Sequence, residues 1–208
     1  MMKRRDLIGA VGFCGFLSLT PSALLAADVD PYKWVLEMSN RVLDRIKNEP
    51  ALKNGDIPAI KRLVDDEIMP NVDFTMVTRM TVGPKWRQAT PEQRQTLMDT
   101  FRELLIRVYS GALSKVNGHV AELVPVRSMA PQDEMVIRTQ LKSASQPPIA
   151  MDYRIYRTKS GDWKIVDVNV EGIWMVENYR TQFAGVLNQE GIDGLIRDLK
   201  KRIESAGG

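Results

Sequence analysis

The sequence predicts an α+β fold, a four-stranded antiparallel sheet with helices packed on one face. Between residues 31 and 116 the apolar side chains recur at the three- and four-residue spacing of amphipathic helices. Between residues 120 and 170 apolar and polar residues alternate, which is typical of strands with one buried face. Helical spacing returns after Gly172. Helices, then strands, then helices, with no long linker between them, indicate one domain in which helices cover a sheet.

The helices of the first half are marked by their boundary residues. Asp30-Pro31 opens the first helix, because aspartate caps a helix and proline suits its first position. Glu49-Pro50 ends it. Thr90-Pro91-Glu92-Gln93 has the pattern of a capping box and begins a long helix that ends near residue 116. Two shorter helices are predicted between these, at 58–69 and at 74–80.

Four strands are predicted in the middle of the chain. Their connections are short, so consecutive strands are expected to pair antiparallel. The predicted strands are 120–127, Glu134–Lys142, Ile149–Arg157 and Trp163–Val170. In the fourth strand, strict alternation puts Val166, Val168 and Val170 on the buried side, and Asp167 and Asn169 on the side that faces water.

The chain is expected to reverse sharply at Gly172, where the fourth strand gives way to a helix. Glycine suits such a reversal because it has no Cβ to clash. One helix is predicted at 175–187, and a second follows in which Ile192, Leu195 and Leu199 share one face. An apolar helix laid on a half-buried sheet makes either a solid core or a pocket.

Residues 1–26 have the order of a secretory signal peptide, and a single domain is expected to span residues 27–208. A basic start, Lys3-Arg4-Arg5, precedes an apolar run at 7–19 and a region of small residues that ends at Ala26. The run is too short for a stable membrane span. Arg4-Arg5 also fits a twin-arginine signal, and either that route or the general secretory route would deliver the chain to the same compartment.

Composition argues against several classes of function. The chain has 29 basic and 26 acidic residues, and 26 and 25 remain without residues 1–26. Nucleic-acid binding usually needs a concentrated positive surface, so no nucleic-acid partner is expected. Cys14 lies in the signal region and His119 is the only histidine, so neither a metal site nor a cofactor is expected. No Gly-rich phosphate loop or Gly-x-Ser-x-Gly turn marks a catalytic site.

One motif connects the chain to a known family. Residues 163–183 read W-K-x-x-D-x-x-x-E-G and then N-Y-R-x-Q-F. With this motif, and with the upstream segments 71–74 and 83–86, the chain resembles the MlaC family of bacterial periplasmic phospholipid-binding proteins, also called the toluene-tolerance family. The motif residues are Trp163, Lys164, Asp167, Glu171, Gly172, Asn178, Tyr179, Arg180, Gln182 and Phe183. Members tend to carry a small residue two positions after the glycine, whereas this chain has Trp174, which we expect to narrow the entrance of a pocket.

The resemblance implies an apolar lipid cavity between the helices and the sheet. Apolar residues on the helices and on alternating strand positions are the candidates for its wall. The candidate lipid-binding residues are Val72, Phe74, Met80, Phe101, Tyr109, Ile137, Met151, Tyr153, Val168, Val170, Ile173, Val176 and Tyr179. An ion pair from Asp167 or Glu171 to Arg180 is expected to fix the helix on the sheet, with a headgroup contact by Arg180 as the alternative.

The resemblance also implies a function and partners. It implies a periplasmic phospholipid carrier that moves lipids between the outer and inner membranes and maintains outer-membrane lipid asymmetry. The implied partners are phospholipid, an inner-membrane lipid ABC transporter with a ring-forming lipid-binding subunit, and an outer-membrane lipoprotein–porin complex. The chain itself has no ATPase motif, so energy would enter through the transporter.

The residues alone leave two other readings open. The same α+β cavity could host a small-molecule isomerase or hydrolase, which would need a deep polar group such as Tyr153 with Asp152 or His119. The apolar face could instead meet a protein partner over a solid core. The resemblance favours the carrier over both, and no enzymatic activity is expected.

Overall fold

The computed structural model describes residues 29–125 and 132–206. The predicted signal peptide at 1–26 lies outside these residues, as do positions 126 and 127 of the predicted first strand. The helices are α1 (Pro31–Asn48), α2 (Pro50–Lys53), α3 (Ile57–Leu63), α4 (Phe74–Val82), α5 (Pro91–Lys115) and α6 (Met175–Ser205). The helix expected at 58–69 ends at Leu63 and continues as a π-helical turn, Val64–Ile68, and a 3₁₀ turn, Met69–Asn71. Pro70 accounts for the change, since it lacks the N–H that a continuing helix requires.

The sheet confirms the α+β prediction, with five strands in place of the four expected. The strands are β1 (Val120–Leu123), β2 (Glu134–Lys142), β3 (Ile149–Arg157), β4 (Trp163–Val170) and β5 (Ile173–Trp174). They lie in sequence order, and each pairs antiparallel with the next. Strand β5 was not predicted because two residues are too few to display an alternating pattern.

A tight turn at Glu171-Gly172 joins β4 to β5. The backbone φ angles are 51° at Glu171 and 88° at Gly172. Two successive positive φ angles are typical of the hairpin turns that match strand twist, and glycine adopts this conformation without a steric penalty. The Glu171 side chain accepts a hydrogen bond from the backbone N–H of Ala150 in β3, which ties the turn to the sheet.

Strand β4 contains a β-bulge that the sequence pattern did not reveal. Arg154 of β3 pairs with Asp167, but its neighbour Ile155 pairs with Ile165, so Val166 has no partner across the ladder. An extra residue of this kind changes the alternation along the strand. The predicted faces of β4 are wrong in part. Val166 is buried and Val168 packs against buried residues of the sheet, as expected, but Asp167 and Asn169 are buried too and Val170 is exposed.

Apolar side chains form two main clusters. In the sheet cluster, α1 packs on the apolar face of the sheet. Its buried members are Val35, Met38, Ile137, Tyr153, Ile155, Trp163 and Ile165. In the helical cluster, α4, α5 and α6 pack together. Its buried members are Val77, Val82, Trp86, Ala89, Leu97, Phe101, Leu104, Val176, Tyr179, Phe183, Leu187, Ile192, Leu195 and Leu199.

Two aspartates attach the helical cluster to the sheet at β4. Asp73 caps α4 by accepting from Met76 N at 2.8 Å, and its other oxygen accepts from the Tyr156 hydroxyl of β3 at 2.7 Å. Asp167, on β4 itself, accepts from the backbone N–H of Val176 in the first turn of α6 at 3.0 Å. Both helices that border the candidate site described below therefore begin at the same edge of the sheet.

Asp167 binds different partners from those expected. Its second oxygen accepts from Arg154 Nη1 at 3.3 Å, and its first oxygen also accepts from its neighbour's N–H. The expected ion pair to Arg180 is absent among the described residues, because the bulge turns Asp167 toward the α6 backbone and toward Arg154. Burial raises the pKa of the Asp167 carboxyl, against the opposing effects of the Val176 N–H, the Arg154 charge and the Val168 N–H.

Helix α6 is interrupted at Gly191, whose φ of 67° and ψ of −157° are not helical. The break separates a first half, with Tyr179 and Phe183 buried, from a second half, with Leu195 and Leu199 buried. The two predicted helices are thus two segments on either side of one glycine. A non-glycine residue would be strained there, because its Cβ would clash at positive φ.

Replacing the Asp167 carboxylate tests the attachment of α6. Asp167→Ala leaves the Val176 N–H without its acceptor and should cost about 1–3 kcal/mol of unfolding free energy. Asp167→Asn keeps an acceptor and should cost less. Because the folded pKa is raised, the folded state holds its proton more tightly than the unfolded chain, so the carboxyl's contribution is greatest below the unfolded pKa.

This gives the Asp167 variants a pH signature. The stability of the parent protein relative to Asp167→Asn should fall as the pH rises from about 4 toward 7. Urea unfolding of both proteins across that range measures the difference. A relative stability that rises with pH would contradict the assignment.

Two glycine substitutions in α6 should act in opposite directions. Gly191→Ala should destabilise by about 1–3 kcal/mol, because Ala cannot adopt the local backbone without strain. Gly185→Ala should stabilise by about 0.5–1 kcal/mol, because Gly185 is helical and a Cβ there meets nothing within 4 Å. Thermal and urea unfolding of both variants supply the comparison. Equal effects at the two positions would show that Gly191 is not a structural break.

Candidate functional site

A cavity of about 960 Å³, open to solvent, lies between α6 and the end of α4 with its following 3₁₀ turn, Gly83–Gln88. Residues of β3, β4 and β5 complete its wall. The lining residues are Arg79, Met80, Gly83, Pro84, Trp86, Arg87, Arg154, Asp167, Trp174, Val176, Glu177, Arg180, Thr181 and Ala184. Its volume lies within the ~300–1,000 Å³ that small-molecule sites usually have.

The wall of this cavity is continuous with the helical cluster. Met80, Trp86 and Val176 line the cavity and also pack in that cluster. At the centre of the cluster is the Phe101 ring, whose centroid lies 5.1 Å from that of Tyr179 and 5.5 Å from that of Phe183. These are edge-to-face contacts, a favourable arrangement for aromatic rings. The cavity thus borders the packed apolar side chains of the helical cluster on one side and water on the other.

Arginines dominate the polar part of the lining. Arg154 donates to the buried Asp167, and its guanidinium carbon lies 4.4 Å from the centroid of a Trp174 ring. Arg180 lies across from Gly83, with its Nε 3.6 Å from where a Cβ on that glycine would stand. The remaining two are Arg79 and Arg87, both exposed.

The two buried tyrosines of the predicted wall stay neutral in ordinary conditions. Burial raises the pKa of Tyr153 to about 12, although the Ser39 hydroxyl donates to its oxygen at 2.9 Å and opposes the shift. Burial also raises the pKa of Tyr179, and the neighbouring Tyr109 adds to the rise. Neither hydroxyl is therefore suited to act as a base near neutral pH.

The structure divides the thirteen predicted lipid-binding residues among three environments. In the helical cluster lie Val72, Phe74, Met80, Phe101, Val176 and Tyr179. In the sheet cluster lie Ile137, Met151, Tyr153 and Val168, and Val72 touches this cluster as well. On the surface lie Tyr109, Val170 and Ile173, with 38%, 38% and 61% of their area exposed. Of the thirteen, Met80 and Val176 line the cavity.

Most of the lining was not predicted as lipid-binding, although part of it lies in the segments that carry the family resemblance. Gly83, Pro84 and Trp86 belong to the segment at 83–86, and Asp167 and Arg180 belong to the motif at 163–183. Arg79, Arg87 and Arg154 had no local signal, because arginine on the exposed side of a helix or strand is common. Trp174, expected at the entrance of a pocket, lines this one.

The polar group that an enzyme would require is not assembled around Tyr153. Asp152 is adjacent in β3, so its side chain points to the opposite face of the sheet. The Tyr153 hydroxyl faces Ser39 and, at 3.3 Å, the sulfur of Met151. His119 is buried rather than in an open turn, and neither ring nitrogen has a hydrogen-bond partner among the described residues.

In the parts of the chain that the structure describes, no three His, Cys, Asp or Glu side chains come together as a metal site. Within residues 29–125 and 132–206, no helix combines the length and the apolar composition needed to cross a bilayer.

Comparison with known proteins gives consistent relatives. The family profile described as MlaC protein matches residues 36–201. The intermembrane phospholipid transport system binding protein MlaC of Haemophilus influenzae is 23% identical over 177 residues, which cover 84% of this chain and 83% of that protein. The toluene tolerance protein ttg2D of Pseudomonas putida is 24% identical over 199 residues, covering 95% and 88% respectively.

A solved structure agrees with these relatives. The phospholipid-binding protein from Ralstonia solanacearum, solved in complex with a phospholipid, is 35% identical to this chain. It aligns with a TM-score of 0.81 and covers 86% of this chain and 100% of its own. The profile match extends from α1 into the second half of α6 and includes every strand of the sheet. On this match and this structural likeness, the chain belongs to the MlaC family.

Proposed function

We propose that this protein binds a phospholipid in the cavity beside α6 and carries it through the periplasm between two membranes. The observation that carries the proposal is the position of the cavity, which joins the apolar helical cluster to a polar, arginine-bearing mouth. A phospholipid has the same two parts, apolar tails and a charged headgroup. Family membership and the names of the relatives, which include phospholipid binding and intermembrane transport, support the same function.

The energetics of lipids in water explain the need for such a carrier. Burial of each methylene is worth about 0.8 kcal/mol, so two ordinary acyl chains resist leaving a membrane by well over ~10 kcal/mol. A carrier must offer the tails an equivalent apolar volume. It can leave the headgroup near water and so avoid the cost of burying a charge. A cavity with an apolar wall and an open polar mouth meets both requirements.

The acyl chains would extend from the cavity into the helical cluster. Met80 and Val176 stand where the two meet, and Phe101 and Tyr179 lie beyond them. The cluster is packed around its aromatic rings, so entry of a chain would require α6 to move away from α4 and α5. The thirteen candidate residues remain our proposed lipid contacts. We expect those of the helical cluster to touch the acyl chains directly.

We also propose the cellular context that the family resemblance implies. A cleaved signal peptide at 1–26 would deliver the chain to the periplasm. Its partners would be the inner-membrane lipid ABC transporter with a ring-forming lipid-binding subunit and the outer-membrane lipoprotein–porin complex. Exchange with these partners would maintain outer-membrane lipid asymmetry. We propose binding and transfer without catalysis, in keeping with the neutral tyrosines and with the names of the relatives.

Native mass spectrometry of protein purified without detergent tests the carrier. We expect a population with a bound phospholipid, identified by extraction and fragmentation. Protein that carries no lipid and that takes none from vesicles would overturn the proposal.

A pair of tryptophan variants locates the bound lipid. Ala184 lines the cavity on α6, whereas Ala112 is exposed on α5 and is not part of the lining. Ala184→Trp fills the cavity and should reduce the ratio of lipid-bearing to empty protein by about fivefold or more, equivalent to ~1 kcal/mol. Ala112→Trp should leave the ratio unchanged. Equal ratios in both variants would mean that the lipid binds elsewhere.

A further inference from the structure

The charges that line the cavity do not balance. Four arginines, Arg79, Arg87, Arg154 and Arg180, face two carboxylates, Asp167 and Glu177. The lining therefore has a surplus of two positive charges, although the net charge of the whole chain is only +3 for 208 residues. Arginines are brought here from α4, the 3₁₀ turn, β3 and α6, so the surplus is a product of the fold.

Arg154 and Asp167 already satisfy one another. The Asp167 side chain is only 1% exposed and accepts from Arg154 and from two backbone N–H groups. Its remaining capacity to neutralise a second arginine is small. Arg154 is also held against the Trp174 ring, which fixes the guanidinium at the edge of the cavity.

The other three arginines have no carboxylate within ion-pair distance among the residues that the structure describes. Arg79 Nη2 lies 3.2 Å from the sulfur of Met76. The thioether is neutral, so this contact does not compensate the charge of Arg79. The Arg180 guanidinium lies over Gly83, which has no side chain to separate it from the cavity. Glu177, the one remaining acid of the lining, is exposed in the first turn of α6, where the helix dipole favours it.

We propose that the four lining arginines, the arginine rim, bind the phosphate of a lipid headgroup, with Arg180 as the contacting side chain. The arginine rim thereby selects anionic over zwitterionic phospholipids. The inference rests on the proposed function. A guanidinium can donate two parallel hydrogen bonds to phosphate, which a single point charge cannot do. One phosphodiester neutralises one of the two surplus charges. The second positive charge then repels the ammonium group of a zwitterionic headgroup. An anionic headgroup that has no ammonium group is not repelled.

The bound lipids provide the test. Wild-type protein is incubated with vesicles of equal parts phosphatidylglycerol and phosphatidylethanolamine, separated from them, and the ratio of the two bound lipids is measured. We expect enrichment of phosphatidylglycerol by about threefold or more, the order of one exposed charge interaction. Arg180→Gln should return the ratio toward that of the vesicles. It should also lower the total bound lipid, because both headgroups carry the phosphate that Arg180 contacts.

Arg197→Gln is the matched control. Arg197 also lies on α6, is exposed like Arg180, and pairs with Glu190 away from the cavity lining. It should retain the wild-type ratio. A wild-type ratio equal to that of the vesicles, or the same ratio in Arg180→Gln as in wild type, would overturn the selectivity. Failure of every protein to take up either lipid would instead overturn the carrier function itself.

The arginines could bind a lipid headgroup phosphate or free inorganic phosphate, and a binding experiment with inorganic phosphate distinguishes the two. If the rim serves the headgroup, millimolar phosphate alone should bind weakly, and its presence should leave the bound-lipid ratio above that of the vesicles. If calorimetry detects tight phosphate binding that Arg180→Gln abolishes, while the lipid ratio is unaffected by the variant, the rim is a free-anion site and the headgroup assignment is wrong.

Discussion

The Asp167 carboxylate is buried where strand β4 meets helix α6, and three groups donate hydrogen bonds to it. Two of these donors are backbone N–H groups and the third is the Arg154 guanidinium. A buried carboxylate is costly unless it is paired, and here the pairing fixes the start of α6 relative to the sheet. The cavity exists because α6 leaves the sheet at this point and runs beside the end of α4.

The second aspartate at this edge, Asp73, does the same for the other wall of the cavity. It caps α4 and accepts from Tyr156, so a strand residue holds the beginning of that helix. The backbone of Asp73 also donates to the carbonyl of Ile165 in β4 at 2.9 Å. Each wall is therefore fixed at its sheet end, while its far end depends on apolar packing within the helical cluster.

That division has a physical consequence for a lipid site. Hydrogen bonds at the sheet end have strict geometry, whereas apolar contacts are not directional and can be exchanged for contacts with an acyl chain. Opening the helical cluster would trade the contacts of Phe101 and Phe183 for those of a guest of similar polarity. The arginine rim stays attached to the sheet end of the cavity through the ion pair between Arg154 and Asp167.

The sequence by itself determined the order and type of the main elements. The caps at Asp30 and Thr90, the alternation of Glu134–Lys142 and Ile149–Arg157, and the glycine reversal at Gly172 are local signals, and local physics decides them. The tertiary structure alone decided the bulge at Val166, the burial of Asp167 and the meeting of four arginines at one cavity. These depend on pairing register and on contacts between distant segments. A periodic pattern cannot encode which exposed arginines will face each other, because each is indistinguishable from any solvated side chain until the helices are packed.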